Sequence, residues 1–203
     1  MRKYIIVMLA AAVMALIITG CSDSKKMTDR QKEAFQELLG SDQSIAGANV
    51  KAIELPEEAA KKFPAVKKVF EITAGSRKYY AFAASPRGYR STIDLFILID
   101  GAQKEVTGIK VLRHDETPEY AGSLTREWFL NRFRNKSAGA YLNRVVLEAS
   151  QPNDVIQITC ATVSSQAVIN GVNAAMGTYR EVILGEEAPP VPLAVEEFVT
   201  EIR

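Results

Sequence analysis

The chain has 203 residues, with 25 Lys and Arg against 24 Asp and Glu, one histidine and two cysteines. That near balance leaves no strongly basic face for nucleic-acid phosphates. His114, Cys21 and Cys160 cannot assemble a zinc, haem or iron–sulfur ligand set, and no Gly-x-Ser-x-Gly elbow accompanies His114 to make a hydrolytic triad.

Met1-Arg2-Lys3-Tyr4 is a short basic start, followed by an uncharged apolar run from Ile5 to Ile18. As a helix, Ile5 to Thr19 is about 22 Å long at about 1.5 Å per residue, short for a bilayer core of about 30 Å and suited to a signal peptide. The run ends in Ile18-Thr19-Gly20-Cys21, which resembles a bacterial lipoprotein processing site, where the cysteine thiol is acylated and becomes the new N-terminus. An uncleaved anchor with an incidental cysteine is the alternative. Either reading ties the rest of the chain to a membrane on its extracytoplasmic side. Without Arg2 and Lys3, 23 basic residues face 24 acidic ones. With Cys21 acylated, Cys160 has no partner for an internal disulfide.

Ser22 to Lys26 reads as a polar tether. A helix is expected from Thr28, where Thr28-Asp29-Arg30-Gln31 has capping-box form; Met27, Phe35, Leu38 and Leu39 supply a staple and an apolar face, and Gly40 ends it. Residues 41–55 show little periodicity. Glu57 to Lys68 allows one or two helical turns, interrupted by Pro64. Val69 to Ala74 and Lys78 to Ala84 flank Gly75-Ser76 as a hairpin. Thr92 to Ile99 alternates, with Ile93, Leu95, Ile97 and Ile99 on one face, and Asp100-Gly101 turns the chain into Val106 to Leu112. Leu124 to Arg134 has helical spacing, with Leu124, Trp128, Phe129 and Phe133 read as core. Short strands at Val145 to Leu147 and Val155 to Thr159 precede a helix from Gln166 to Met176, ended by Gly177. The Pro-rich Glu186 to Pro192 and the polar end read as a surface arm. The order predicts an α+β fold, a single domain built on an antiparallel sheet with flanking helices behind the N-terminal signal or anchor. The expected divisions are 1–21 for the signal or anchor, 22–68 for tether and N-terminal helical region, 69–185 for the main domain and 186–203 for the arm.

Three blocks, spanning residues 86–176, carry a family resemblance. Pro86-Arg87-Gly88-Tyr89 precedes the strand at Ile93; His114-Asp115-Glu116-Thr117-Pro118 directly follows the strand ending Lys110-Val111-Leu112; and Thr159-Cys160-Ala161-Thr162-Val163-Ser164-Ser165-Gln166-Ala167-Val168 opens the last helix. In that order they resemble the flavin-binding domain shared by the G subunit of the Rnf-type ion-translocating oxidoreductase and the C subunit of the sodium-translocating NADH:quinone oxidoreductase.

The resemblance implies FMN esterified through its phosphate to the hydroxyl of Thr162, placed there by a flavin transferase. It also implies flavin contacts from Thr159, Cys160, Ala161, Ser164 and Ser165, and from the loop of His114, Glu116 and Thr117 beside the ring. No residue is implied as catalytic; Thr162 is an attachment point, and the protein is a one-electron carrier among the membrane subunits of an Rnf-type complex. A freestanding flavin lipoprotein serving extracellular acceptors and a flavin-free lipoprotein acting as a binding or scaffolding module are the alternatives. The chain departs from the family pattern at several positions. Cys160 replaces a glycine, Ile156 stands where an Asp is usual, Glu119-Tyr120-Ala121 replaces Gly-Leu-Gly, and Arg90-Ser91 replaces two glycines. From the residues alone, Thr162 lies between a strand and a helix, where a phosphate would meet the helix's unpaired N–H groups. Ser164 and Ser165 are N-cap candidates whose hydroxyls could donate to phosphate oxygens. Hydroxylic residues that merely cap the helix are the simpler reading of the same pattern.

Overall fold

The structure is a computed structural model that describes residues 26–40 and 47–195. The apolar run and Cys21 lie outside these residues, and no helix among the described residues is long and apolar enough to cross a membrane.

Helix α1 (Asp29–Leu39) starts as its sequence dictates. The Thr28 N–H donates to the Gln31 side chain at 2.9 Å, and the Gln31 N–H donates to the Thr28 hydroxyl at 3.3 Å. The helix ends at Gly40, whose φ of +76° lies in the left-handed region that only glycine enters without strain. Strand β1 (Asn49–Ile53) follows, then helix α2 (Glu57–Lys62), β2 (Val66–Ala74), β3 (Arg77–Ala84), β4 (Asp94–Asp100) and β5 (Glu105–Arg113). With the short β6 (Lys136–Ser137), these strands form one six-stranded sheet in chain order, every neighbouring pair antiparallel. Gly75 at φ +59° makes the β2–β3 turn. Asp100 makes the β4–β5 turn, its carboxylate accepting from the N–H groups of Ala102 and Gln103 at 2.8 and 2.9 Å.

Both faces of this sheet are buried. Alternation sends Phe82, Leu95, Ile97, Ile99 and Ile109 to one side, beneath helix α5 (Thr162–Thr178). It sends Phe70, Ile72, Tyr79, Phe96 and Leu98 to the other, beneath Phe35 and Leu38 of α1. The packing beneath α5 is tight: a Cβ at Gly171 would stand 2.6 Å from Leu95 and 2.9 Å from Pro86. A π-helical turn (Tyr179–Leu184) continues α5. The chain then runs back over the domain, burying Ala188 and Val191, with the Val191 N–H on the Lys62 carbonyl and the Arg87 N–H on that of Leu193. A separate parallel pair joins β7 (Asn143–Val145) to β8 (Asp154–Ile156).

The α+β class and the antiparallel sheet with flanking helices agree with the sequence reading, and four local readings are corrected. β1 falls where little periodicity was evident; as an edge strand it is held by backbone pairing with β2 and its residues are exposed or half-buried. The helix expected over 124–134 is broken into α3 (Pro118–Ala121), α4 (Glu127–Leu130) and a 3₁₀ turn (Asn131–Phe133). Phe129 and Phe133 are core, but Trp128 is 49% exposed, with the Arg132 guanidinium over its ring at 4.7 Å. β7 sits two residues earlier than expected, and β8 starts one residue earlier and ends three earlier. Finally, α5 begins at Thr162, with Ala161 as its N-cap residue, so Ser164 and Ser165 lie inside its first turns and cap nothing.

Candidate functional site

The site forms where three connections meet at one end of the sheet. The loop from β3 to β4 folds on itself, with the Gly88 N–H donating to the Ser91 carbonyl and the Ile93 N–H to that of Pro86. β5 ends at Arg113, and His114 to Thr117 lead into α3, whose N-cap is Thr117. From β8, Gln157 to Ala161 lead into α5.

Glu116 ties these segments together. It is 3% exposed, and its carboxylate accepts from the backbone N–H groups of Tyr89 at 3.0 Å, Arg90 at 2.9 Å and Ser91 at 2.8 Å. The Ser164 hydroxyl on α5 donates to the same carboxylate, and that of Ser91 lies 3.3 Å away. Burial pushes the Glu116 carboxyl up, but the donors of Ser164, Ser91, Arg90 and Tyr89 outweigh it and hold the group below its ordinary value of 4.5. Gly88 makes the contact possible, because a Cβ there would stand 2.8 Å from one carboxylate oxygen and 2.9 Å from its carbon.

The turn before α5 is equally fixed. Cys160 has φ +63°, the left-handed region. The Ala161 N–H donates to the Ile158 carbonyl, and the Ile158 N–H to the Ser165 hydroxyl at 2.9 Å. Arg132 holds the Ile156 carbonyl at 2.5 Å, and Arg144 holds the side chains of Gln166, at 2.9 Å, and Gln157. Thr162 thus stands in the first turn of a 17-residue helix, half-buried, among N–H groups that no carbonyl within the helix can accept.

Between these walls lies an open cavity of about 470 Å³, lined by Tyr89, Glu116, Thr117, Tyr120, Ala121, Cys160, Ala161, Thr162, Val163 and Ser164. Of the residues singled out in the sequence, Glu116, Thr117, Cys160, Ala161, Thr162 and Ser164 line it. Thr159 is exposed outside the lining, and His114 turns its Nδ1 to the Glu116 N–H at 3.3 Å. Ser165 is fully buried and turned inward. The Ser164 hydroxyl is given to Glu116, and the Ser165 oxygen accepts from the Ile158 N–H. Tyr89, Tyr120, Ala121 and Val163 were not read as site residues; Tyr120 and Ala121 registered only as departures from the pattern. Among the described residues no group of three or more His, Cys, Asp and Glu could hold a metal ion.

The +63° φ explains the glycine usual at position 160, since an L-residue there carries a strain of about 1–2 kcal/mol. Cys160→Gly is therefore expected to raise stability by about 1 kcal/mol, measured by denaturant unfolding, without widening the turn; a less stable glycine variant would refute this.

Fold and cavity together define a small α+β domain with an open, mostly apolar cavity at the start of α5. The sequence model of the FMN-binding domain matches residues 88–177, which bracket this cavity. The match takes in 90 of the 203 residues.

The G subunit of the proton-translocating ferredoxin:NAD(+) oxidoreductase complex of Clostridium ljungdahlii is 30% identical over 97 residues, covering 48% of this chain and 51% of that protein. The chain thus aligns with about half the length of that relative. The G subunit of the ion-translocating oxidoreductase complex of Methanosarcina acetivorans is 27% identical over 172 residues, covering 82% of this chain and 85% of that protein. The crystal structure of the C subunit of the Na(+)-translocating NADH-quinone reductase from Parabacteroides distasonis shares the fold, with a TM-score of 0.54 at 14% identity, covering 80% of this chain and 94% of that one.

Proposed function

We propose that this protein is a membrane-anchored electron carrier that holds FMN covalently through the phosphate at Thr162, and that it works as the G-type subunit of an Rnf-like ion-translocating oxidoreductase. The observation that carries the reading is the position of Thr162. It is the threonine at the start of α5, it lines the cavity of the FMN-binding domain, and its own backbone N–H and that of Val163 lie at the positive end of the helix dipole. The residues fit the group. Thr162 would hold the phosphate and the cavity the ring. Cys160 would turn the chain so that Thr162 faces outward. When bound, FMN supplies reversible electron transfer.

The chain's own residues bind and orient. Glu116 joins the Gly88–Ser91 turn to α5 and keeps the cavity's three walls in register. Its negative charge, close to where a phosphate would sit, is already met by donors of its own. Kinship with subunits named for ion-translocating complexes favours the carrier reading over a flavin-free binding module. The test is the intact mass of protein coexpressed with a flavin transferase: a single FMN adduct supports the proposal, and an unmodified chain overturns it.

The anchor reading extends to Cys21. Diacylation there gives durable membrane attachment where a single chain is marginal. Cys21→Ser is expected to leave the precursor unprocessed or to release soluble protein, read by fractionation and mass spectrometry. Membrane-bound protein that retains Met1 and an unmodified Cys21 would refute it. The partners proposed are the other membrane subunits of such a complex, with the domain on the extracytoplasmic side.

A further inference from the structure

Tyr89 and Tyr120 pose a physical question. They are 74% and 56% exposed, and they enter the cavity wall from two different connections, the Gly88 turn and α3. Exposed aromatic surface stays in contact with water unless something covers it. The other large exposed aromatic among the described residues, Trp128, has a guanidinium over its face. Among the described residues neither tyrosine ring stacks on another ring or under a cation. The cavity they line also has the apolar side chains of Ala121, Ala161 and Val163 and the polar ones of Thr117, Thr162 and Ser164 in its wall. Its volume of about 470 Å³ is within the range of about 300–1,000 Å³ usual for pockets that enclose a cofactor-sized ligand.

We infer that Tyr89 and Tyr120 are the two aromatic walls against which a planar flavin ring packs, and that Tyr120 tunes that ring's redox potential and quenches its fluorescence. This rests on the FMN reading above and concerns residues this chain supplies itself: Tyr120 stands where the family pattern has leucine. The physics is twofold. The negative face of a phenol ring disfavours extra electron density on a ring stacked against it, so Tyr120 holds the flavin's potential down. A phenol in contact also lends an electron to a light-excited flavin and takes it back, with no net change, which extinguishes emission. Tyr120 is thus a specificity-setting contact for the electron carried, separate from the attachment residue.

The experiment uses flavin-loaded protein made with a flavin transferase, comparing wild type with Tyr120→Leu, Tyr120→Phe and Tyr89→Leu. The Tyr89 N–H bond to Glu116 is a backbone bond, so Tyr89→Leu leaves it in place. Thermal melting checks that each variant is folded. Tyr120→Leu is expected to raise the fluorescence yield severalfold and to move the midpoint potential upward. Tyr120→Phe, which keeps a ring but is a far poorer electron donor, should raise the yield while holding the potential near wild type. Tyr89→Leu removes the second wall, and combined with Tyr120→Leu it should raise the yield beyond that of Tyr120→Leu alone. Loaded variants with wild-type yield and potential would overturn this inference alone. A wild-type protein that takes up no flavin would overturn the FMN reading and this one with it.

Discussion

Replacing Thr162 with alanine is expected to abolish covalent flavin while leaving the domain folded. The alanine side chain has no oxygen to carry an ester, and Ser164 and Ser165 are poor substitutes, because one hydroxyl is bound to Glu116 and the other to the Ile158 N–H. The effect on flavin content is all-or-none, read as loss of in-gel fluorescence from denatured protein. The effect on stability is small. Thr162 is the first residue of α5 and no side-chain cap bond is present there, so the substitution costs under about 1 kcal/mol. Fluorescence that persists, or an adduct mapped to Ser164 or Ser165, would show the acceptor to be another residue.

Glu116→Gln is expected to have the largest effect on stability of any conservative change in the site. It removes a buried charge and turns an amide N–H₂ toward donors that now lack a full acceptor set, at a cost of about 3 kcal/mol. For a domain of this size that lowers Tm by about 10 °C. The pH dependence gives the sign. A carboxyl held below its ordinary value in the folded state and released to it on unfolding adds stability above that value and loses it as pH falls through the folded pKa. Wild type should therefore lose stability below pH 4.5 more steeply than Glu116→Gln, whose position 116 no longer titrates. Parallel acid-unfolding curves for the two proteins would refute the assignment.

The parts of the fold that were legible share one property: their signal lies in neighbouring residues. Gly75-Ser76 and Asp100-Gly101 announce their hairpins, Thr28 and Gln31 their capping box, and the alternation of Ile93, Leu95, Ile97 and Ile99 its buried face. What was not legible depends on partners remote in sequence. β1 is a strand because β2 offers it a backbone edge. Ser164 looks like a cap in the string Thr159 to Gln166 and becomes a tie to Glu116 only because a loop 48 residues away is brought beside it. The same holds for Glu116, whose motif located it but whose grip on the Gly88–Ser91 turn came from the fold. Tyr89 and Tyr120 lie in or beside two of the motif blocks, but that they line one cavity came from the fold, which brings those two connections together.

The topology also has a temporal consequence. Each strand of the main sheet pairs with its neighbour in the chain, so the meander can assemble hairpin by hairpin as the polypeptide emerges. The cavity cannot. Its third wall is the start of α5, which arrives only after the last strand and must dock on a sheet already made. A chain stalled short of that docking has paired strands and no pocket. On the function proposed above, a flavin attached at Thr162 through the shaped pocket would mark molecules in which α5 has docked.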